Sequence, residues 1–328
     1  MGRMKLLSNI INNATNQVQG FCVIKSVQMR TNVKGSEYLD FTLSDAEGSI
    51  NAKLWDYSAD AHGKYEAGEI IKVRGTVNMF RDTEQLKIER IRHKNDNDNV
   101  DLSELVESAP IDGEHYYNEI YAFAEKFKNT ELSHLTTYLL SENKEKLLHY
   151  PAALKLHHAG RGGLMYHTGT MLGAAKKLVE IYSELYPELC AELVYTGIIL
   201  HDIAKTRELE VGELGLATAY STEGQLLGHI ALGVSMVQKA AEEIGISKKV
   251  TSLVSHILLS HHSIPDYGSP KPPMFPEAEL VADIDMLDAR MYEMFDALGS
   301  TELGSFSERR WDLDNRQLYR HGLIFDEN

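Results

Sequence analysis

The sequence predicts a multi-domain protein, a small all-β barrel followed by an all-α domain. Three observations carry that expectation. The first 95 residues alternate apolar and polar side chains in short runs broken by Gly and Asp, which is the period of strands. A polar run without periodicity, Asn95-Asp96-Asn97-Asp98-Asn99, comes next and reads as connecting chain. From about Leu102 onward, apolar residues recur every three and four positions, the period of helices. At 328 residues the chain accommodates two ordinary domains. The boundaries expected are 1–95 for the barrel, 96–112 for the linker and 113–328 for the helical domain.

Each strand has its own signal. Val18 to Arg30 is rich in β-branched and large apolar residues. Tyr38 to Leu43 alternates, and Ser49 to Trp55 alternates again after the turn Asp45-Ala46-Glu47-Gly48. Ile70 to Val77 follows Gly68, and Gln85 to Ile91 closes the set. Five short strands with Gly and Asp turns suit a closed or partly open barrel. The helices show in Ile120-Tyr121-Phe123-Ala124-Phe127, Leu135-Tyr138-Leu139, Val179-Ile181-Tyr182-Leu185 and Val234-Val237-Ala240-Ala241-Ile244. Gly245 stops the last of these, and Ser269-Pro270-Lys271-Pro272-Pro273 is a rigid break before a helix starting near Glu277.

Composition narrows the class. No run of about 18 apolar residues exists, so neither a membrane span nor a membrane partner is expected. Met1 to Ile10 lacks a signal-peptide pattern. Two distant cysteines, Cys22 and Cys190, suggest neither a disulfide framework nor a thiolate metal site, and a cytoplasmic setting is the expectation. The formal charge of −15 argues against uniform nucleic-acid binding. Yet residues 1–95 hold 14 basic and 11 acidic side chains, against 19 and 37 in the remainder. The acidic excess belongs to the helical part, much of it as a solvated surface, and the barrel is mildly basic. Oligomeric state is left open, a homo-oligomer included.

The chemistry lies in the histidines. Nine of 14 fall between His149 and His262. His167 follows Arg161-Gly162-Gly163-Leu164, and His201-Asp202 ends the apolar run Val194 to Leu200. His229 follows Gly228, His261-His262 follow Ile257-Leu258-Leu259, and Asp285 and Asp288 lie beyond the proline break. Imidazole and carboxylate are ligands of catalytic Mn, Fe, Zn or Ni. Two such ions clamp the attacking and leaving oxygens of a phosphodiester, and Asp202 beside His201 is the obvious bridge. A single helical histidine is more often a structural residue. The ordered set is what raises the reading.

That order resembles the HD superfamily of metal-dependent phosphohydrolases. The wider set is similar to the YhaM-type 3′-5′ exoribonucleases. It comprises Pro151-Ala152-Ala153, His157-His158, Gly162-Gly163-Leu164 with His167-Thr168, His201-Asp202-Ile203-Ala204-Lys205, Glu223 to Ile230, Ser260-His261-His262 and Ile284-Asp285 with Leu287-Asp288-Ala289. The resemblance spans nearly the whole chain and implies an N-terminal OB-fold joined to an HD domain. It implies metal ligation by His167, His201, Asp202, His229, Asp285 and one or both of His261 and His262. Borderline and hard ligands suit two divalent ions, Mn2+ first, with Fe2+, Co2+, Ni2+ or Mg2+ as alternatives. Asp202 and Lys205 are the catalytic candidates, Lys205 through its ammonium beside the developing phosphate charge. The alternative for Lys205 is a cation favoured at a helix C-terminus. Asp288, one turn after Asp285, is expected to orient a ligand. The family commonly has Gly where this chain has Ala204, and often His where it has Ala282.

Substrate contacts are expected from His157, His158, Arg161 and Gly163 in the helical domain and from Lys53, Trp55 and Arg74 in the barrel. The alternative for His157 and His158 is to order the Gly162-Gly163 turn, and for Trp55 to fill the barrel core. Tyr38, Phe41, Tyr57 and Phe80 are further stacking candidates and Arg81 a further cation, with Phe41 expected in the core instead. His256, five residues before His261, points away from that residue's face and is expected to be structural. The segment Arg309-Arg310-Trp311 is a lid, a subunit contact or packing. The leading expectation is 3′-5′ hydrolysis of single-stranded RNA, and also single-stranded DNA, to nucleoside monophosphates by a metal-activated water. The alternative is a phosphodiesterase for a small cyclic or short oligonucleotide. A third reading is a non-catalytic single-strand binder.

Overall fold

A computed structural model describes residues 4–80, 83–154, 158–265 and 268–323. The chain divides into two compact units, residues 1–108 and 109–328.

The first unit is the expected barrel. Its strands are β1 (Ile10–Asn12), β2 (Gln17–Thr31), β3 (Glu37–Ser44), β4 (Ser49–Leu54), β5 (Ile70–Phe80) and β6 (Thr83–His93), with a short helix α1 (Ala59–His62). One long strand makes closure work. The first half of β2 pairs antiparallel with β5, and its second half pairs with β3. The register shifts between Ile24 and Ser26, a bulge that lets one strand turn the corner between two neighbours. A parallel pairing of β4 with β6 completes the ring. Alternation then sorts the side chains. In β3, Leu39, Phe41 and Leu43 point inward with Ile71, Val73 and Leu86, while Tyr38 and Asp40 point out. Phe41 therefore fills the core as expected. Residues 96–108 fold back on this unit. Asp98 binds Arg92, Glu104 binds Lys5, and Leu105 and Val106 are buried.

The second unit is helical: α2 (Gly113–Ala124), α3 (Thr130–Leu147), α4 (Gly163–Leu185), α5 (Ala191–Leu200), α6 (Lys205–Glu208), α7 (Thr222–Ile244), α8 (Lys248–Ser260) and α9 (Pro276–Gly299). Helix α5 is apolar nearly all round, and its residues from Leu193 to Leu200 are buried apart from the half-buried Tyr195. A helix apolar on every side belongs at the centre of a bundle. It ends at His201, so it delivers His201-Asp202 into the interior. Side-chain caps start the surrounding helices: Asp112 for α2, Asn129 for α3, Ser221 for α7 and Ser247 for α8. Gly245 closes α7 in the left-handed region, at φ 74°.

One element was not legible as such. A hairpin, β7 (Leu209–Val211) with β8 (Ala217–Tyr220), stands between α6 and α7. Strands of three and four residues carry too little alternation to register as a period. Among the described residues no helix is long and apolar enough to cross a membrane.

Candidate metal centre

Five helices bring the expected residues together, two of them at their C-terminal ends. His167 comes from α4, His201 and Asp202 from the end of α5, His229 from α7, His261 and His262 from the end of α8, and Asp285 from α9. Around Asp202 Oδ2 stand His201 Nε2 at 3.4 Å and His167 Nε2 at 3.9 Å. His167 Nε2 also lies 3.2 Å from Asp285 Oδ1 and 3.3 Å from His201 Nε2. Around Asp202 Oδ1 stand His229 Nε2 at 3.4 Å and His261 Nε2 at 3.8 Å. The ligand atoms of His229, His261 and His262 fall within 4.8 Å of one another. One carboxylate thus faces two groups of nitrogens, one from each oxygen.

Hydrogen bonds on the far side of four rings fix their orientation. His201 Nδ1 donates to Ile198 O and His261 Nδ1 to Leu258 O, both at 2.8 Å. His167 Nδ1 donates to Asp288 Oδ2 at 2.8 Å, and His229 Nδ1 to Glu208 Oε1 at 3.0 Å. Carbonyls and carboxylates only accept, so each Nδ1 carries the hydrogen. Each ring then turns Nε2 inward, those of His201, His229 and His261 toward Asp202 and that of His167 toward Asp285 and Asp202. This is the outer-shell arrangement by which proteins hold metal-binding imidazoles.

The inner atoms are unsatisfied. Asp202 Oδ1, His229 Nε2 and His261 Nε2 are buried without a hydrogen-bond partner among the described residues. Lone pairs gathered at such distances repel, and leaving buried polar atoms unpaired is costly. A cation between them removes both costs. The donor set of imidazole and carboxylate suits a divalent ion of borderline or hard character, so the residues present fit metal.

Charge in the pocket follows the same logic. Burial pushes Asp202 up, but the Lys205 ammonium, then His201 and His229, hold it well below the usual carboxylate range. Burial likewise opposes ionisation of Asp285 and is outweighed by His167. His261 and His262 are pushed down, chiefly by burial, and stay neutral and ready to ligate. Lys205 Nζ, buried, lies 2.7 Å from Asp202 Oδ2. Burial lowers its pKa and Asp202 more than restores it. Lys205 opens the four-residue α6, whose single turn also makes it a cation of the helix's last turn.

Two glycines are required here. Gly228 interrupts α7 at φ 70° and ψ 162°, a conformation that side chains resist. The break turns the backbone N–H of His229 onto Glu208 Oε1 at 2.8 Å. At Gly163 an added Cβ would lie 1.8 Å from His158 O. That position is glycine because α4 starts against the backbone of the preceding loop.

A pocket of about 500 Å³ opens onto this cluster. Asp202, Lys205, His229, His261, His262 and Asp285 line it, joined by Tyr220, Met286 and Arg290. Other expected contacts lie elsewhere. His158 is buried, with Nε2 3.0 Å from Asp288 Oδ2, so it sits behind His167. Gly163 and Arg161 do not line the pocket, and the Arg161 guanidinium packs against Gly215. His157 and Arg81 fall outside the described residues. His256 is structural as expected, its Nε2 accepting from Met274 N at 3.1 Å. Arg310 is tied to Asp296 and Asp312, while Trp311 is exposed. Glu208 and Tyr220 were missed. Neither has a periodic relation to the histidines, and both reach the site through the short α6 and β8.

In the barrel, Tyr38 and Trp55 form one outward platform with ring centroids 4.5 Å apart. Lys53 Nζ lies 5.2 and 5.4 Å from the two rings. Arg74 stands on β5, in a different sector of the wall, with Nη2 on Gln17 Oε1 at 2.9 Å. Tyr57 stacks on His62 and donates to Gly63 O. Phe80 is exposed.

Comparison with known families agrees with this division. A family described as HD domain matches residues 164–290. The helical unit carries an HD domain. A second family, described as OB-fold nucleic acid binding domain, matches residues 23–93, so the barrel is an OB-fold. The HD domain marks the chain as a metal-dependent phosphohydrolase, and the pair of domains suggests one that acts on nucleic acid. Among solved structures, the chain is similar to the protein PriB from Ralstonia solanacearum, at 17% identity over 24% of this chain and 97% of that one, TM-score 0.22. It is also similar to the second OB-fold domain of replication protein A from Methanococcus maripaludis, at 18% identity over 26% and 88%, TM-score 0.20. A third is the single-stranded DNA binding protein from Thermus aquaticus, at 13% identity over 26% and 43%, TM-score 0.23.

Proposed function

We propose that this protein is a metal-dependent 3′-5′ exonuclease that hydrolyses single-stranded RNA, and also single-stranded DNA, to nucleoside monophosphates. The observation that carries the reading is the set of orphaned donor atoms around Asp202 at the base of a nucleotide-sized pocket. The OB-fold in the same chain supplies the reason to choose a polymer as substrate. The direction of attack follows from the resemblance to YhaM-type enzymes.

One ion would be held by His167, His201, Asp202 and Asp285, and a second by Asp202, His229, His261 and His262. Mn2+ is the first candidate, with Fe2+, Co2+, Ni2+ and Mg2+ as alternatives. Bound divalent metal supplies Lewis acidity toward the phosphoryl oxygens and makes water a nucleophile near neutral pH. The chain's own residues prepare the rest. Lys205 fixes the Asp202 carboxylate and places an ammonium in the pocket, where charge develops on phosphate. Asp288 and Glu208 hold His167 and His229 in register. Tyr220 offers a ring on which a terminal base can stack. In the barrel, Tyr38 and Trp55 receive bases and Lys53 the backbone.

A second reading rests on the pocket itself. Its volume of about 500 Å³ also suits a small cyclic or short oligonucleotide. The two are separated by incubating the protein and Mn2+ with 5′-labelled single-stranded RNA, the matching DNA and a cyclic dinucleotide. The exonuclease reading expects a ladder shortening from the 3′ end with monophosphate products. Intact RNA with a hydrolysed cyclic dinucleotide would replace it with the second reading.

A further inference from the structure

We propose that the barrel carries a second contact for single-stranded nucleic acid, a phosphate-binding groove on β5 and β6 apart from the Tyr38-Lys53-Trp55 platform. The inference rests on the reading of the barrel as a single-strand binder and adds where the backbone of a longer strand runs. The groove, of about 530 Å³, lies within the barrel unit and is lined by Gln19, His62, Lys72, Arg74, Arg90 and Arg92, among others. Four cations thus share one groove in a chain of net charge −15.

Their placement costs the barrel stability. The ladder sets Lys72 directly opposite Arg92, and Arg74 directly opposite Arg90. Like charges opposite one another on antiparallel strands are destabilising. Local partners relieve only part of this. Asp98 holds Arg92 through two bonds of 2.6 and 2.7 Å, and Arg74 leans on Gln17. Glu89, the carboxylate in the lining, has its oxygens engaged by Gln17 and Thr76. Lys72 Nζ lies 4.9 Å from the centroid of the Phe21 ring, and Arg90 makes no ion pair among the described residues. Lys72 and Arg90 are therefore the cations open to a ligand. A polyanion neutralises both like-charge pairs at once. The guanidinium fork matches phosphate geometry, and an aromatic ring beside a row of cations is the composition of a single-strand path. The occupant is the phosphodiester backbone of a strand longer than the platform holds.

The test uses the full chain in EDTA, which stops turnover, with labelled single-stranded RNA of about 6 nucleotides, near the lower end of OB-fold site sizes, and of about 20, beyond their upper end. Lys72→Gln/Arg90→Gln is compared with Lys53→Gln/Trp55→Ala. The groove variant is expected to lose about tenfold or more on the long RNA and little on the short one. Its plot of log affinity against log salt becomes shallower by about 1.4, roughly 0.7 per lost phosphate contact. Its thermal midpoint equals or exceeds that of the wild type, because like-charge pairs have been relieved. Unchanged affinity and slope, with loss in the platform variant, would overturn the groove and leave the barrel reading intact. No binding of either RNA by the wild type would overturn both. Unchanged RNA affinity with weaker self-association would give the groove to the acidic unit of a second copy.

Discussion

Lys205 Nζ lies 2.7 Å from Asp202 Oδ2, and both side chains are buried. The ammonium compensates the carboxylate that both groups of histidines face. Removing one partner of a buried pair leaves a charge unpaired and costs about 3–5 kcal/mol. Lys205→Met is therefore expected to destabilise the metal-free protein by about that amount. Saturating Mn2+ should restore much of the loss, since the metal supplies the missing positive charge. Thermal unfolding with EDTA and with Mn2+ measures both quantities. An equal loss in the two conditions contradicts the compensating role.

Asp285 and Asp288 are three residues apart on α9 with different tasks. Asp285 Oδ1 faces His167 Nε2, and Asp288 Oδ2 accepts from His167 Nδ1. Asp285→Ala is expected to abolish metal-dependent activity. Asp288→Asn should weaken metal affinity or activity by about 10–100-fold, the usual cost of losing an outer-shell partner. Mn2+ titrations of both variants rank them, and equal losses would remove the distinction.

His167 links metal binding to pH. Burial pulls its pKa down, but Asp285 and Asp288 outweigh burial and raise it to about 9. The imidazolium's contribution to stability of the metal-free protein is full below about 6.5. It is lost as pH rises through about 9. A metal ligand must be deprotonated, so binding at neutral pH expels this proton. Calorimetric Mn2+ titrations in buffers of different ionisation enthalpy should show the release at neutral pH and its disappearance well above pH 9. His167→Gln should remove it.

At Gly163 even one methyl group meets the His158 carbonyl oxygen. Gly163→Ala forces the start of α4 away from that loop, at a cost of about 1–3 kcal/mol or more. Because α4 carries His167 one turn later, activity per folded molecule should fall as well. Denaturant unfolding and turnover, measured together, test this.

The Tyr38-Trp55 pair on the barrel predicts a loss on truncation. Trp55→Ala should weaken single-stranded RNA binding by about 1–3 kcal/mol, the value of one base–aromatic stack. Fluorescence anisotropy in EDTA reads this directly.

Much of the architecture was legible because its signals are periodic. Alternation in Tyr38 to Leu43 placed Phe41 inside and Tyr38 outside, as the barrel has them. The apolar run before His201 stood out in the sequence, and it is the central helix α5, buried nearly all round. The candidate ligands stood out as an ordered series of motifs. Glu208 did not, because its link to His229 depends on the break at Gly228 and the approach of α7 to α6. Nor did the location of His158 behind His167, since adjacency in the sequence says nothing of which side of a ring is reached. The groove cations lie far apart in the chain, and only the ladder register makes them neighbours.

The central claim is that the atoms around Asp202 form the metal centre of a phosphodiesterase. The direct test is hydrolysis of bis(p-nitrophenyl) phosphate, which needs no strand binding, by the wild type and by Asp202→Ala, with bound Mn2+ counted in each. The wild type is expected to hydrolyse it with Mn2+ and not with EDTA. The variant should be at least about 100-fold slower, beyond the loss expected for an outer-shell partner, and should lose bound metal. Equal hydrolysis and equal metal content in the two proteins would contradict the claim.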